Sequence, residues 1–435
     1  MECLILNNIN FDSKDYKRSR AAYMVQCTIE YFVSLLVADA FLAKLLSYIG
    51  ISDSLVGIIS SFISLAFLFQ LLSIALVKGM KNTKRTVIIF DTISQVFFMS
   101  IYLVPFIPVN NGLKTVIVIA MLLVAYVFKY LVIGIYFKWA NSFVSPDKRG
   151  IYSATKEMIS LISGIIFTLA IGWVVDKYTA NGNIEGSFVF LGAMLLILNI
   201  INFITLVLIS RDRTDDLPKK NTTSFKTVAK KTLGNKNFVN VIILNMLYDV
   251  GRFASLGFMG IYKTKELALT VGFVQVINMI ACFARFAISR SFGRFSDRTS
   301  YATGINLALV IAALSFGINI FTTPGTWWII VVFTVLNTVS VAGLNQNMYN
   351  ICYSYVESDY IVQAMAIKNS IGGIAGFLTT LGAAKLLDYI QSNGNMLFGI
   401  HMYGQQFLSA ISFIIMAIAV VFCYKVVRKQ QVMKQ

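Results

Sequence analysis

Residues 142–183, SFVSPDKRGIYSATKEMISLISGIIFTLAIGWVVDKYTANGN, can be laid without a gap on residues 354–395, SYVESDYIVQAMAIKNSIGGIAGFLTTLGAAKLLDYIQSNGN, with about a dozen identities. The matches include Asp147 with Asp359, Ala154 with Ala366, Lys156 with Lys368, Gly164 with Gly376 and Asp176 with Asp388. Asn181-Gly-Asn183 recurs as Asn393-Gly-Asn395. Each copy reads as a polar lead, an apolar run of helical length and a closing turn. A chain that carries both is built from duplicated halves.

Working outward, the 435 residues are 57% hydrophobic and 13% charged, against about 25% charged in soluble domains. Runs of about the 20 residues needed to cross hydrocarbon lie at 24–48, 52–77, 86–107, 114–144, 151–175 and 187–210. A second series follows at 238–262, 267–290, 302–322, 326–354, 361–387 and 403–426. The expected fold is an all-α polytopic membrane protein of 12 transmembrane helices in two six-helix bundles, 24–210 and 238–426. Residues 1–23 and 427–435 are tails, and 211–237 is a linker. The repeats run in the same direction with the same orientation, so the halves form a parallel repeat about an axis along the membrane normal.

The formal charge of +17 does not indicate nucleic acid, because no RNP, zinc-finger or helix-turn-helix spacing accompanies it. Lysines and arginines gather in the tails and after even-numbered helices, with Arg211, Arg213, Lys219, Lys220, Lys226, Lys230, Lys231 and Lys236 in the central linker. That bias places both termini and the linker in the cytoplasm of a cell-membrane protein. The five cysteines form no CxxC pair, and His401 is the sole histidine. No metal centre, cofactor or Ser-His-Asp arrangement is expected, and no P-loop is present to drive an ATP pump. The chain does not read as an enzyme.

Charges at membrane depth are expensive and therefore mark function. On helix 7, Asp249 and Arg252 lie one turn apart on one face, as a stabilising pair or as a cavity-lining pair opened by substrate or proton. Helix 4 carries Lys129 near its middle. Helix 1 carries Glu30 in its inner third and Asp39 slightly beyond the centre, on opposed faces, so only one is expected to face a cavity. Lys156 and Lys368, near helix ends, have stems long enough to snorkel to the interface. Helix 10 offers Asn347 and Asn350 with Tyr353 a turn beyond, either as one side of a polar pocket or as inter-helix hydrogen bonds.

Between helices 8 and 9, Gly293-Arg-Phe-Ser-Asp297-Arg298-Thr-Ser-Tyr301 resembles the G-x-x-x-D-R-x-G-R/K loop of the major facilitator superfamily, with Ser300 in place of the second glycine. Asp147-Lys148-Arg149-Gly150 before helix 5 is similar to a second recurrent loop. The first-half copy of the main motif, Val77 to Arg85, has no acidic residue. The resemblance implies alternating access between two halves, with helices 1, 4, 7 and 10 around a central cavity and a cytoplasmic latch at Gly293, Asp297 and Arg298. Pseudo-symmetry brings the first-half loop to the start of helix 11. Lys78, Lys81, Lys84 and Arg85 are then placed to pair with Glu357 and Asp359, unless they are ordinary positive-inside charge.

These readings together indicate a secondary active transporter of a small organic solute, a symporter coupled to a proton or another cation. It is embedded in lipid and functions as a monomer. Two rivals share the scaffold: a non-transporting sensor or lipid-handling protein, and an exporter of drugs or amphiphiles.

Overall fold

The computed structural model describes residues 13–79, 82–145, 149–210, 225–357, 360–397 and 399–430. Helix 1 runs Lys14–Leu36 and, after a break, Asp39–Tyr48. Helix 2 is Asp53–Ser60 continued by Phe62–Gly79, and helix 3 is Thr83–Ser100 with a terminal 3-10 turn. Helices 4, 5 and 6 are Asn111–Asn141, Arg149–Ala180 and Ile184–Leu208. A short linker helix, Phe225–Gly234, leads into helix 7, Lys236–Phe253 with irregular turns to Glu266. Helices 8 to 12 are Val271–Arg298, Tyr301–Asn319, Ile329–Tyr353, Ile361–Ser392 and Gly404–Lys425.

Eleven helices among the described residues are long and apolar enough to span a bilayer. Helix 1 is the remaining one: its first piece is 23 residues long but carries Lys14, Asp15, Lys17, Arg18, Arg20 and Glu30, and its second piece has only 10 residues. Starts are sealed by side chains: Asn110, Asn183, Thr270 and Ser300 each accept a hydrogen bond from a backbone N–H three residues on. Such caps are worth about 1 kcal/mol each, and they satisfy donors that a membrane end must not leave bare.

The repeat is structural as well as sequential. Helices 5 and 11 are both 32 residues long and are shifted by the same interval as the sequence copies. Both end where a glycine takes positive φ, +73° at Gly182 and +66° at Gly394. Only glycine enters that region without a Cβ penalty, which explains why Asn-Gly-Asn recurs.

Each half has its own core. One apolar cluster lies entirely within 238–427. The main cluster of the first half, from Ile29 to Leu198, runs on into Ile261, Val271 and Val274 of the second. This shared apolar cluster joins the halves on the side opposite the face where helix 1 begins and helix 12 ends; these are called here the far face and the terminal face. Backbones come together there through small residues. A Cβ on Gly57 would sit 2.0 Å from the Phe258 ring, and one on Gly172 would sit 2.9 Å from Gly272 Cα. Large side chains such as Ile166, Trp173 and Phe321 project outward from the bundle, as a lipid-facing surface requires.

Several boundaries depart from the sequence reading: helix 1 starts at Lys14 rather than 24, inside the expected tail, and helices 5 and 11 run on to Ala180 and Ser392. Helix 7 passes position 262 to reach Glu266 through a π turn. Helix 8 continues to Arg298, so Gly293, Asp297 and Arg298 lie in its last turns rather than in a loop. Ser300, in the second glycine's position, is extended and caps helix 9, its Oγ accepting from Thr303 N at 3.1 Å. A small hairpin, Met396–Leu397 with Ile400–His401, occupies the loop after helix 11.

Candidate functional site

The site is built on two irregular stretches of backbone that face each other. Asp39 reopens helix 1 with φ +44°, a left-handed conformation that costs an ordinary residue of order 1–3 kcal/mol. Opposite it, helix 7 passes from a 3-10 turn through one α turn into the π turn Tyr262–Glu266; π turns concentrate at functional positions. Gly260 permits the approach, since a Cβ there would lie 2.9 Å from the Asp39 carbonyl oxygen. The result places Lys263 Nζ 3.1 Å and 3.2 Å from the two Asp39 carboxylate oxygens. Asn278 of helix 8 donates to the same carboxylate at 3.2 Å.

This ion pair forms one wall of a cavity of about 250 Å³ between the halves. Ser60, Thr334 and Asn337 supply further polar groups, and Phe253, Met259 and Phe333 supply apolar ones. Toward the far face the cavity is shut by further bonds between the halves. Asp53 accepts two contacts from Lys265 at 2.8 Å and 3.0 Å and one from Gln391 at 3.0 Å. Asp176 accepts from the Gly272 N–H at 2.8 Å. Nearer the terminal face, Arg285 and Glu157 meet at 3.4 Å with Glu157 largely exposed, a contact worth at most about 1 kcal/mol.

A second polar system lines helix 7 closer to the terminal face. Arg252 Nε lies 3.4 Å from Asp249 Oδ1. Asp249 Oδ2 accepts from Asn245 at 2.8 Å, and Asn245 Oδ1 in turn accepts from Lys368 at 3.0 Å. Lys368 is buried and is spent on this chain instead of reaching the interface. Gly372 makes room for it, because a Cβ there would sit 2.2 Å from Asp249 Oδ2. Lys156, its repeat mate on helix 5, likewise turns inward to helix 1, with Nζ 3.3 Å from the Tyr23 hydroxyl.

A third cluster lies inside the first half. Glu30, Asp91 and Lys129 line one small cavity with Gln26 and Tyr136. Asp91 Oδ2 accepts from Asn202 of helix 6 at 2.5 Å. Lys129 also stands 5.9 Å from the centre of the Phe98 ring. Glu30 and Asp39 therefore face different chambers, one on each side of the break in helix 1.

The helix 10 group does not converge. Asn347 is buried against Gly304 of helix 9 and returns its amide to the Gly343 carbonyl at 2.8 Å, which is the helix-contact alternative. Tyr353 bonds Tyr349 at 2.8 Å on an exposed face. Asn350 is partly buried on the same helix. Of the residues expected to form a latch, Asp297, Arg298, Arg85 and Glu357 are exposed, and Lys84 donates to the Val207 carbonyl of its own half at 2.6 Å. The Lys78 side chain, Lys81, Asp359, Asp147, Lys148 and most of the central linker lie outside the described residues.

Sequence reasoning missed Lys263, Lys265 and Asp91. The two lysines fell just beyond the expected end of helix 7 and read as loop charge. Asp91 stands inside an apolar run, so the rule applied to Lys129 would have found it.

The profile of the Major Facilitator Superfamily matches residues 22–380. Among solved structures, a mutant of the nucleoside transporter NupG is similar at TM-score 0.71 and 12% identity, over 93% of this chain and 99% of that one. The D-xylose-proton symporter gives 0.69 at 10% identity, over 96% and 100%. A bacterial homologue of the iron transporter ferroportin in its inward-facing state gives 0.68 at 13%, over 96% and 99%. No curated protein matches the chain by sequence.

Proposed function

Because the chain belongs to the major facilitator superfamily, we propose that it is a secondary active transporter that moves a small polar organic solute by alternating access, driven by a cation gradient. The observation that carries the reading is the Asp39–Lys263 pair: it joins the two halves and forms a wall of the cavity between them. A solute there meets opposite charges, hydroxyl and amide groups and aromatic faces. That lining suits hydrogen-bonding molecules of the kind named for the similar structures, a nucleoside or a pentose. Opening the far side requires parting Asp39 from Lys263 and Asp53 from Lys265, so solute and gate share groups, and occupancy can bias the gate by differential contacts.

The basic linker and tails favour a cytoplasmic terminal face in the cell membrane, and on that reading the described conformation is inward-facing. Asp297, Arg298, Glu357 and the Lys78–Arg85 group, with Asp359, then act as the latch of the opposite conformation, closing when the far side opens. Each half keeps its own core, so a monomer contains the whole device.

A thermal-shift screen of metabolites on the purified protein, followed by flux of each stabilising compound into sealed vesicles, tests the reading. Accumulation under an imposed cation gradient supports it. A ligand that binds without crossing would make the chain a sensor.

A further inference from the structure

On helices 7 and 11 of the second half, one carboxylate is shared between two cations. Asp249 Oδ1 lies 3.4 Å from Arg252 Nε, while Oδ2 accepts from the Asn245 amide, whose own oxygen accepts from Lys368 at 3.0 Å. Lys368 is only 6% exposed. Among the described residues its ammonium bonds this neutral amide oxygen and has no carboxylate within ion-pair distance. Donors are also left over. The Arg252 Nε, close to Asp249 but not in hydrogen-bonding geometry, and the Tyr248 hydroxyl are buried without a hydrogen-bond partner. The guanidinium stands 4.4 Å from the centre of the Phe253 ring and 5.4 Å from that of Tyr248. Phe253 also belongs to the wall of the solute cavity, so the cluster adjoins the space open to a solute. Unlike Lys368, the Arg252 side chain keeps 23% of its surface accessible.

One carboxylate cannot neutralise two cations, and a surplus charge held away from water is costly. Buried donors without acceptors add to that cost. The group that removes both deficits carries one negative charge on oxygens that accept hydrogen bonds. A carboxylate fits, because its two oxygens match the planar fork of a guanidinium. A phosphate monoester brings nearly two charges and would exceed the surplus. The rest of the polar lining, Ser60, Thr334 and Asn337, suits hydroxyl groups on the same molecule.

We propose that the transported solute is a hydroxylated monocarboxylate, with its carboxylate seated on Arg252 and its hydroxyl groups in the cavity beside Asp39. The proposal rests on the transporter reading and deepens it by giving the solute a charge. On arrival the solute carboxylate competes with Asp249 for Arg252, and Asp249 is released toward Lys368, so three charges become two ion pairs. Lys368 belongs to helix 11 and Asp249 to helix 7, which makes binding an exchange of partners between these helices. Two residues beyond Lys368, the Ser370 hydroxyl donates to the Phe67 carbonyl of helix 2 at 2.8 Å. A rearrangement at Lys368 therefore reaches the seam with the first half.

Thermal unfolding of the purified full-length chain with a panel of sugar acids and short hydroxy acids, among them D-glucuronate, D-gluconate and L-lactate, each beside its primary amide, reads the preference. At least one acid should raise the melting temperature of the wild type while its amide does not. Arg252→Gln should weaken binding of that acid about tenfold or more, and Lys368→Met should weaken it as well. Asp249→Asn removes the competing carboxylate and should strengthen binding, a gain that disturbed packing alone would not produce. Silence of every acid, an equal response to acid and amide, or weaker binding in Asp249→Asn overturns the proposal. So does a response that sodium chloride alone reproduces, which would make this a site for an inorganic anion. The acid–amide comparison is made on the wild type, so it does not depend on any variant folding. A neutral solute that binds and crosses would sink this inference and leave the transporter reading standing; an acid that binds without flux would do the reverse.

Discussion

Lys263 reaches Asp39 at 3.1 Å from the opposite half of the molecule, and each residue sits where its helix departs from α geometry. A regular helix 1 would aim the carboxylate elsewhere, and a regular helix 7 would carry the ammonium past it. The pair is therefore a product of backbone irregularity on both sides, and its two members are not equally buried: the side chain of Lys263 is 6% exposed and that of Asp39 31%.

That asymmetry predicts unequal costs. Asp39→Asn leaves a buried ammonium without its counter-charge, a loss of about 3 kcal/mol. Lys263→Met leaves a carboxylate that keeps Asn278 and some access to water, so its cost should be about 1 kcal/mol. Thermal unfolding of the two variants in detergent checks the order; equal costs would mean that Lys263 finds another partner.

Gly372 and Gly382 lie on the same helix and predict opposite outcomes. A methyl group at Gly372 meets Asp249 and Asn245 at 2.2 Å and 2.4 Å, whereas nothing lies within 4 Å of one at Gly382. Gly372→Ala should lower stability by about 1–3 kcal/mol through overpacking and abolish flux. Gly382→Ala should leave flux intact and stabilise by up to about 1 kcal/mol from helix propensity. Melting curves and vesicle flux measure both.

The repeat predicts matched penalties at its two closing turns. Gly182 and Gly394 share positive φ, and a Cβ at either meets no atom within 4 Å. Alanine at each should thus cost only the left-handed backbone penalty, about 1 kcal/mol. Unequal melting shifts would show that the two turns are not equivalent.

At the far face, Gly57→Ala should act as a wedge. Its methyl carbon would overlap the fully buried Phe258 ring, which cannot swing aside. Spin labels at Asn183 and Ser392, one on each half, should report a longer distance in Gly57→Ala. Adding Phe258→Ala should return the distance toward that of the parent. An unchanged distance would mean that the seam yields locally.

Much of this was legible in the sequence. Hydropathy located the helices, because a run of apolar residues long enough to cross lipid has few other uses. The repeat equated helix 5 with helix 11 to the residue. Asp39, Lys129, Asp249 and Arg252 stood out as candidates because charge at depth is conspicuous. What stayed hidden depends on backbone irregularity and on partners distant in sequence. No periodicity announces a π turn, so Lys263 read as loop. Lys368 read as a snorkelling lysine because its partner Asn245 lies 123 positions away. The motif at Gly293 was placed in a loop because its polar residues break the apolar pattern while the helix continues beneath them.

The central claim is that the cavity opens to one face at a time and that Asp39 helps to hold the far side shut. Asn337 lines that cavity, so Asn337→Cys, in a chain with the five native cysteines replaced, reports access when a membrane-impermeant maleimide is applied to either face of sealed vesicles. The account predicts labelling from the terminal face alone in this parent chain, and new labelling from the far face once Asp39→Asn is added. Equal labelling from both faces in the parent, or no gain from the far face in the variant, would contradict it.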